Sequence, residues 1–185
     1  MKTAIIVHGM PSKEEFYDPK NPSPSNFQFL PWLQKQLSIR DVVAQTPEMP
    51  NPYSPVYEAW KDVFEKFNID EHTILVGHSC GGGFLVRWLS ENKRKVGRVV
   101  LVEPWIDVEK ELKTEMFNFD IDENFPHRTN KTTIFYGEDC HPDLKLSIDK
   151  LKNTLVGAEI RELPGKRDHF CAPTFPEILS ELGYN

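Results

Sequence analysis

Gly77-His78-Ser79-Cys80-Gly81 sets a hydroxyl between two glycines, each two residues away. The pentapeptide directly follows the apolar run Thr73 to Val76 and directly precedes a helical pattern beginning near Gly83. A strand, a sharp turn and a helix in that order hold a serine in a strained conformation with its Oγ exposed. Side chains at the two glycine positions would collide across so tight a reversal, which gives Gly77 and Gly81 a physical use. The N-terminus of the following helix favours negative charge developing at the same spot. Residues of these types at this spacing suit nucleophilic attack on a carbonyl, with Ser79 as the attacking group.

A serine hydroxyl is a weak nucleophile at neutral pH and needs a base within hydrogen-bond reach, most often a histidine. Six histidines compete for that role. His169 follows the last strand candidate and precedes the last helix, giving the chain order serine, acid, histidine, and is the expected general base. His8 belongs to a strand-end His-Gly, His78 adjoins the nucleophile and is expected to point into the elbow, His72 opens a strand, and His127 and His141 fall on loops. The base in turn needs a carboxylate to fix its tautomer and stabilise its protonated form. Gly137-Glu138-Asp139-Cys140-His141-Pro142-Asp143 offers three acids after a strand candidate. Asp139 is the favoured one, Asp143 the next, and Glu138 follows the strand too closely. Asp168 is set aside because adjacent residues rarely turn both side chains toward each other. Two backbone N–H donors must receive the oxyanion, one from the residue after the nucleophile and one from the loop after an early strand, which selects Cys80 and Met10. His8 and Gly9 then border the substrate, and Trp105, with Phe16, Tyr17, Phe27 and Phe29, could line an apolar acyl pocket.

The elements that must position these groups alternate. Strand candidates run over Thr3 to His8, Asp41 to Thr46, Thr73 to Gly77, Arg98 to Glu103, Thr132 to Tyr136 and Glu159 to Leu163. Most are continuous apolar runs, as expected where both faces of a sheet are covered. Between them, helical spacing appears in Pro31 to Leu37, Val56 to Phe67, Phe84 to Leu89, Leu144 to Leu155 and Pro173 to Leu182. The class is α/β, with a mostly parallel central sheet of about six strands and helices on both faces. Pro11 to Asn26, rich in Pro, Ser and Asn, is expected to be a long loop, and Trp105 to Asn130 a small insertion. Both leave carboxyl ends of strands, where open α/β sheets place ligands.

Size and charge bound the possibilities. The 185 residues suit a single domain spanning 1–185, with 39% hydrophobic and 27% charged residues, a globular composition. The net charge of −6 argues against a nucleic-acid partner. Ala4-Ile5-Ile6-Val7 is too short for a signal peptide or a membrane span, so a cytoplasmic location without membrane association is expected. Cys80, Cys140 and Cys171 are odd in number and lack Cys-x-x-Cys spacing, so reduced thiols are expected, and Cys80 reads as a packing residue. No phosphate loop, dinucleotide fingerprint or zinc-ligand spacing is present, so neither cofactor nor metal is expected.

The chain resembles the retinoblastoma-binding protein 9/YdeN family of small serine hydrolases. The likeness runs through Ile5-Ile6-Val7-His8-Gly9, Pro31-Trp32-Leu33, Met49-Pro50-Asn51-Pro52 with Trp60, the elbow, Val100-Leu101-Val102 and Asp168-His169-Phe170. It implies a compact α/β-hydrolase fold with little or no lid, a triad of Ser79, an aspartate and His169, and hydrolysis of a small ester, thioester or amide. One departure stands out. In that family the acid stands three residues after the glycine that ends its strand, a position Cys140 fills here, with Asp139 one place short. The stretch Pro11 to Asn26 also looks longer than in such relatives. A displaced acid leaves a second reading open, a binding or scaffolding protein that keeps the hydrolase fold with little catalysis.

Overall fold

All six strand candidates become strands: β1 (Lys2–Val7), β2 (Val42–Gln45), β3 (Ile74–His78), β4 (Val96–Val102), β5 (Thr129–Gly137) and β6 (Glu159–Leu163). The computed structural model describes residues 2–165 and 170–184. Every pairing is parallel, in the order β2-β1-β3-β4-β5-β6. The chain leaves β1 toward one edge through β2 and returns to β3 on the other side of β1. The carboxyl ends of β1 and β3 therefore form the switch point where such sheets open a crevice. In register, Val7 lies opposite Gly77 and Gly77 opposite Leu101, so His8-Gly9 and His78-Ser79 leave the sheet side by side.

Successive residues of a strand point to opposite faces, and the core divides accordingly. Ile5, Val7, Leu75 and Leu101 pack beneath α3 (Tyr57–Phe64) and α4 (Cys80–Asn92), where Trp60, Phe64, Phe84 and Trp88 form a chain of edge-on aromatic contacts. Ala4, Ile6, Val76 and Val100 face α2 (Leu30–Ser38) and α6 (Pro176–Glu181), with Leu33, Leu37 and Ile178 between them. A further helix, α5 (Pro142–Thr154), follows β5 and buries Ile148 and Leu151. The five expected crossover helices are thus all present, with bounds shifted by a few residues.

Residues 11–26 are not wholly a loop. Ser12 caps a short helix, α1 (Lys13–Tyr17): its side chain accepts from the Glu15 N–H, and the Glu15 carboxylate accepts from the Ser12 N–H. This is the Ser-x-x-Glu reciprocal cap, and Pro24–Asn26 adds one 3-10 turn. The insertion at 105–130 is irregular apart from a 3-10 turn at Phe125–Arg128, yet it buries Met116 and Phe125 completely. Among the described residues no helix is long and apolar enough to cross a membrane.

Two buried polar anchors hold these connections. The fully buried His8 ring accepts the Met49 N–H at Nε2 (3.0 Å), so its proton lies on Nδ1, which donates to the Gly9 carbonyl (2.7 Å). Asp122 ties the insertion to α4 and its C-terminus through Arg128 (2.6 Å), Lys93 (2.7 Å) and its own N–H on Ser90 Oγ (3.0 Å). Although partial burial works against it, bonding to Lys93 and Arg128 brings the Asp122 carboxyl down to about 2.

Both anchors have measurable consequences. His8→Leu keeps an apolar body against Trp60 but strips both bonds, and is expected to lower unfolding free energy by about 1–3 kcal/mol in urea titration. Burial holds the His8 pKa below its ordinary value. Its contribution is therefore complete above about pH 6.5 and declines as pH falls below that. For Asp122 the folded pKa is depressed, so its contribution is present above about pH 4 and is lost as pH falls through about 2. Asp122→Asn should lower stability by about 1 kcal/mol at pH 7. The deficit should shrink to a small remainder in melts near pH 2; an equal deficit at both pH values would contradict this.

Candidate active site

The turn from β3 into α4 takes place at Ser79, whose φ of 54° and ψ of −123° lie where residues other than glycine are rarely held. Three backbone bonds fix it. Its N–H donates to the Val102 carbonyl at 2.9 Å, and its carbonyl accepts from Gly83 N–H at 3.1 Å and Trp105 N–H at 3.0 Å. The elbow glycines have no room to be anything else. A Cβ on Gly77 would lie 2.7 Å from the Gly81 carbonyl oxygen, and one on Gly81 would lie 2.4 Å from the oxygens of both Val7 and His8. The Ser79 hydroxyl takes no part in capping α4.

Ser79 opens on a cavity of about 300 Å³, at the small end of ligand sites. Gly9 and Met10 border it from the end of β1, His78 from β3, and Phe16 and Phe27 from residues 11–28. A Cβ on Gly9 would stand 3.1 Å from Ser79 Cβ, so glycine lets the β1 backbone pass directly beside the nucleophile. Among the described residues neither the Met10 nor the Cys80 N–H has a backbone acceptor. Cys80 is the first residue of α4, where such amides go unmatched within the helix. Its thiol is fully buried, and burial, reinforced by the charge of Asp107, pushes its pKa far up. The thiol therefore stays protonated inside the core.

Several expected contacts take a different form. His8 does not line the cavity, because its ring is buried and both nitrogens serve the backbone. Trp105 does not line it either. Its backbone braces Ser79 while its ring stacks edge-on against Phe117 at 5.4 Å. Phe29 is wholly buried against His78 and Phe175, and Tyr17 lies outside the cavity with Tyr53. His169 lies outside the described residues; the chain beyond it continues in the buried Phe170 and in Cys171, which lines the cavity with Ser79. Asp139 is exposed in the turn after β5. Asp143, in the first turn of α5, pairs with His141 at 3.3 Å.

One group absent from sequence reasoning is Glu103, directly after β4. Its side chain is completely buried, and its Oε1 accepts the Gly137 N–H at 3.0 Å. The only signal was an acid closing the apolar run Val99 to Val102. Among the described residues no three His, Cys, Asp or Glu side chains gather as a metal site would require, and no disulfide joins Cys80, Cys140 and Cys171.

A profile of proteins with the alpha/beta hydrolase fold matches residues 46–142. Over 105 residues the chain is 32% identical to YdeN of Bacillus subtilis (strain 168), covering 55% of this chain and 50% of that protein. The chain thus spans about half the length of the curated relative it matches. The crystal structure of YdeN superposes with a TM-score of 0.76 at 21% identity, over 99% of this chain and 97% of that one. Est1E from Butyrivibrio proteoclasticus, solved with ferulic acid bound, superposes with a TM-score of 0.66 at 14% identity, over 98% and 86% of the two chains. With more than half its length inside the family profile, and with that fold's parallel sheet, the chain belongs to the α/β-hydrolase fold family.

Proposed function

We propose that the protein is a serine hydrolase that cleaves a small ester, thioester or amide by acyl transfer through Ser79. The observation that carries this reading is the strained Ser79 turn at the N-terminus of α4, opening on a cavity that Met10 borders, with Cys80 next in the chain as the first residue of α4. His169 is the base. Its support is chain order and the neighbouring Cys171, two residues on, which borders the same cavity.

In this reading His169 takes the Ser79 proton as Oγ bonds to the substrate carbonyl carbon. The oxyanion is received by the N–H groups of Met10 and Cys80. Collapse expels the alcohol, thiol or amine, which leaves with the proton from His169. Water then attacks the acyl-enzyme by the same route, His169 taking its proton and returning it to Ser79 Oγ as the carboxylic acid departs. Phe16 and Phe27 give the cavity apolar walls, and its volume of about 300 Å³ suits a short acyl or single-ring group better than a long chain.

Labelling with a fluorophosphonate probe, read by intact mass, tests the reading. The wild type should gain one adduct, and Ser79→Ala and His169→Ala should gain none on the same timescale. A folded wild type that stays unlabelled would sink the hydrolase reading in favour of a binding role. Phe27→Ala should raise KM for a short aryl ester by about three- to tenfold while kcat holds, as expected for a wall that binds ground and transition states alike.

A further inference from the structure

Residues 12–23 are all exposed, yet this stretch supplies a wall of the cavity on which Ser79 opens, through Glu15, Phe16, Asn21 and Pro22. A wall so exposed needs something to hold it in place, and its own resources are small. Helix α1 has 5 residues, buries none of them, and is far shorter than a helix that stands by itself in water. The reciprocal Ser12 and Glu15 cap, the bonds from Phe16 N–H to the Ser12 carbonyl and from Asp18 N–H to the Glu14 carbonyl, and the Asn21 amide on the Glu15 carbonyl all close within the segment. They fix the shape of α1 but not its place over the cavity.

The attachment is aromatic. Among the described residues the one hydrogen bond that leaves residues 12–21 joins Tyr17 Oη to Tyr53 Oη at 3.0 Å. Around it three rings cluster, with centroids 5.2 Å apart for Phe16 and Tyr17, 5.3 Å for Phe16 and Tyr53, and 5.6 Å for Tyr17 and Tyr53. Phe16 belongs at once to this cluster and to the cavity wall, whereas Tyr53 lies outside the cavity. Tyr53 stands on a fixed part of the chain. Pro52 beside it is buried, Trp60 Nε1 donates to the Pro50 carbonyl at 2.9 Å, and the Met49 N–H donates to the His8 ring.

We infer that Tyr53 is a specificity-determining residue: by holding Tyr17 and Phe16 it keeps α1 against the cavity and limits the length of acyl chain that can lie beside Ser79. This rests on the Ser79 hydrolase reading above. Tyr53 is a positioning residue, acting through Phe16 without touching substrate. A butyryl group leaves Phe16 where it is, while a decanoyl chain running out from Ser79 has to displace the wall that Phe16 makes.

The test is the ratio of kcat/KM for p-nitrophenyl decanoate to that for p-nitrophenyl butyrate. Tyr53→Ala, which removes both ring and hydroxyl, is expected to raise this ratio about tenfold, chiefly through a lower KM for decanoate, and Tyr53→Phe, which keeps the ring contacts, by about threefold or less. Phe16→Ala should raise the ratio as well, and adding Tyr53→Ala to it should bring little further change, because the tyrosine acts through that ring. Effects that multiply in the double variant would overturn the inference. The placement of α1 is read without substrate by trypsin, which cuts after Lys13 and Lys20. Cleavage there should be about fivefold or more faster in Tyr53→Ala, as for a segment cut from its open form; cleavage at the wild-type rate overturns the inference. Should Tyr53→Ala not fold, Tyr17→Ala, a change on the exposed helix, decides by the same ratio and the same cleavage. A wild type that turns over neither ester removes the hydrolase reading and this size limit together, whereas a wild type active on butyrate with an unchanged ratio in Tyr53→Ala overturns the inference alone.

Discussion

The site hangs on a single backbone reversal. At Ser79 the chain passes from β3 to α4 through a conformation that costs on the order of 1–3 kcal/mol for a residue other than glycine. It is held there because every neighbour is already committed. The bond from Ser79 N–H to Val102 joins the turn to β4, the Ser79 carbonyl holds both α4 and the backbone after β4, and Gly81 rests on the carbonyls of Val7 and His8 at the end of β1. Three strand ends are thereby locked around one residue. Because β1 and β3 diverge in topology at this point, the locked ends open a crevice, and the strain sits where a ligand can reach it.

That constraint explains which parts of the molecule could be read from the sequence. The inner strands β1, β3, β4 and β5 leave largely apolar runs that survived inspection, and the elbow announced itself because only glycine fits its two flanks. Side-chain partners leave no such trace. His8 and Gly9 look equally exposed to substrate in sequence, yet register buries the His8 ring under the loop carrying Met49, while Gly9 lies against Ser79. Trp105 reads as a pocket aromatic, but its backbone is needed at Ser79 and its ring turns to Phe117. The short helix α1 did have a signal, the Ser12-x-x-Glu15 cap, which the prolines of the same stretch obscured. Glu103 was hidden for the opposite reason: a polar residue closing an apolar run looks like an ordinary strand end until pairing shows that β5 extends alongside and covers it.

The same elbow separates two neighbours. Ser79 and Cys80 are adjacent, and a thiol is intrinsically the stronger nucleophile once ionised. A strand-to-helix turn can present only one of two successive side chains to the crevice; here it presents Ser79 and sends Cys80 into the core beneath α4. Burial, with the Asp107 carboxylate adding to it, then keeps the Cys80 thiol protonated, while its backbone N–H, in the first turn of α4, has no acceptor within the helix. The residue is thus stripped of its side-chain chemistry and left with its amide. In the proposed reading the hydroxyl therefore attacks and the cysteine backbone receives charge, although the bare reactivities of the two groups would suggest the reverse.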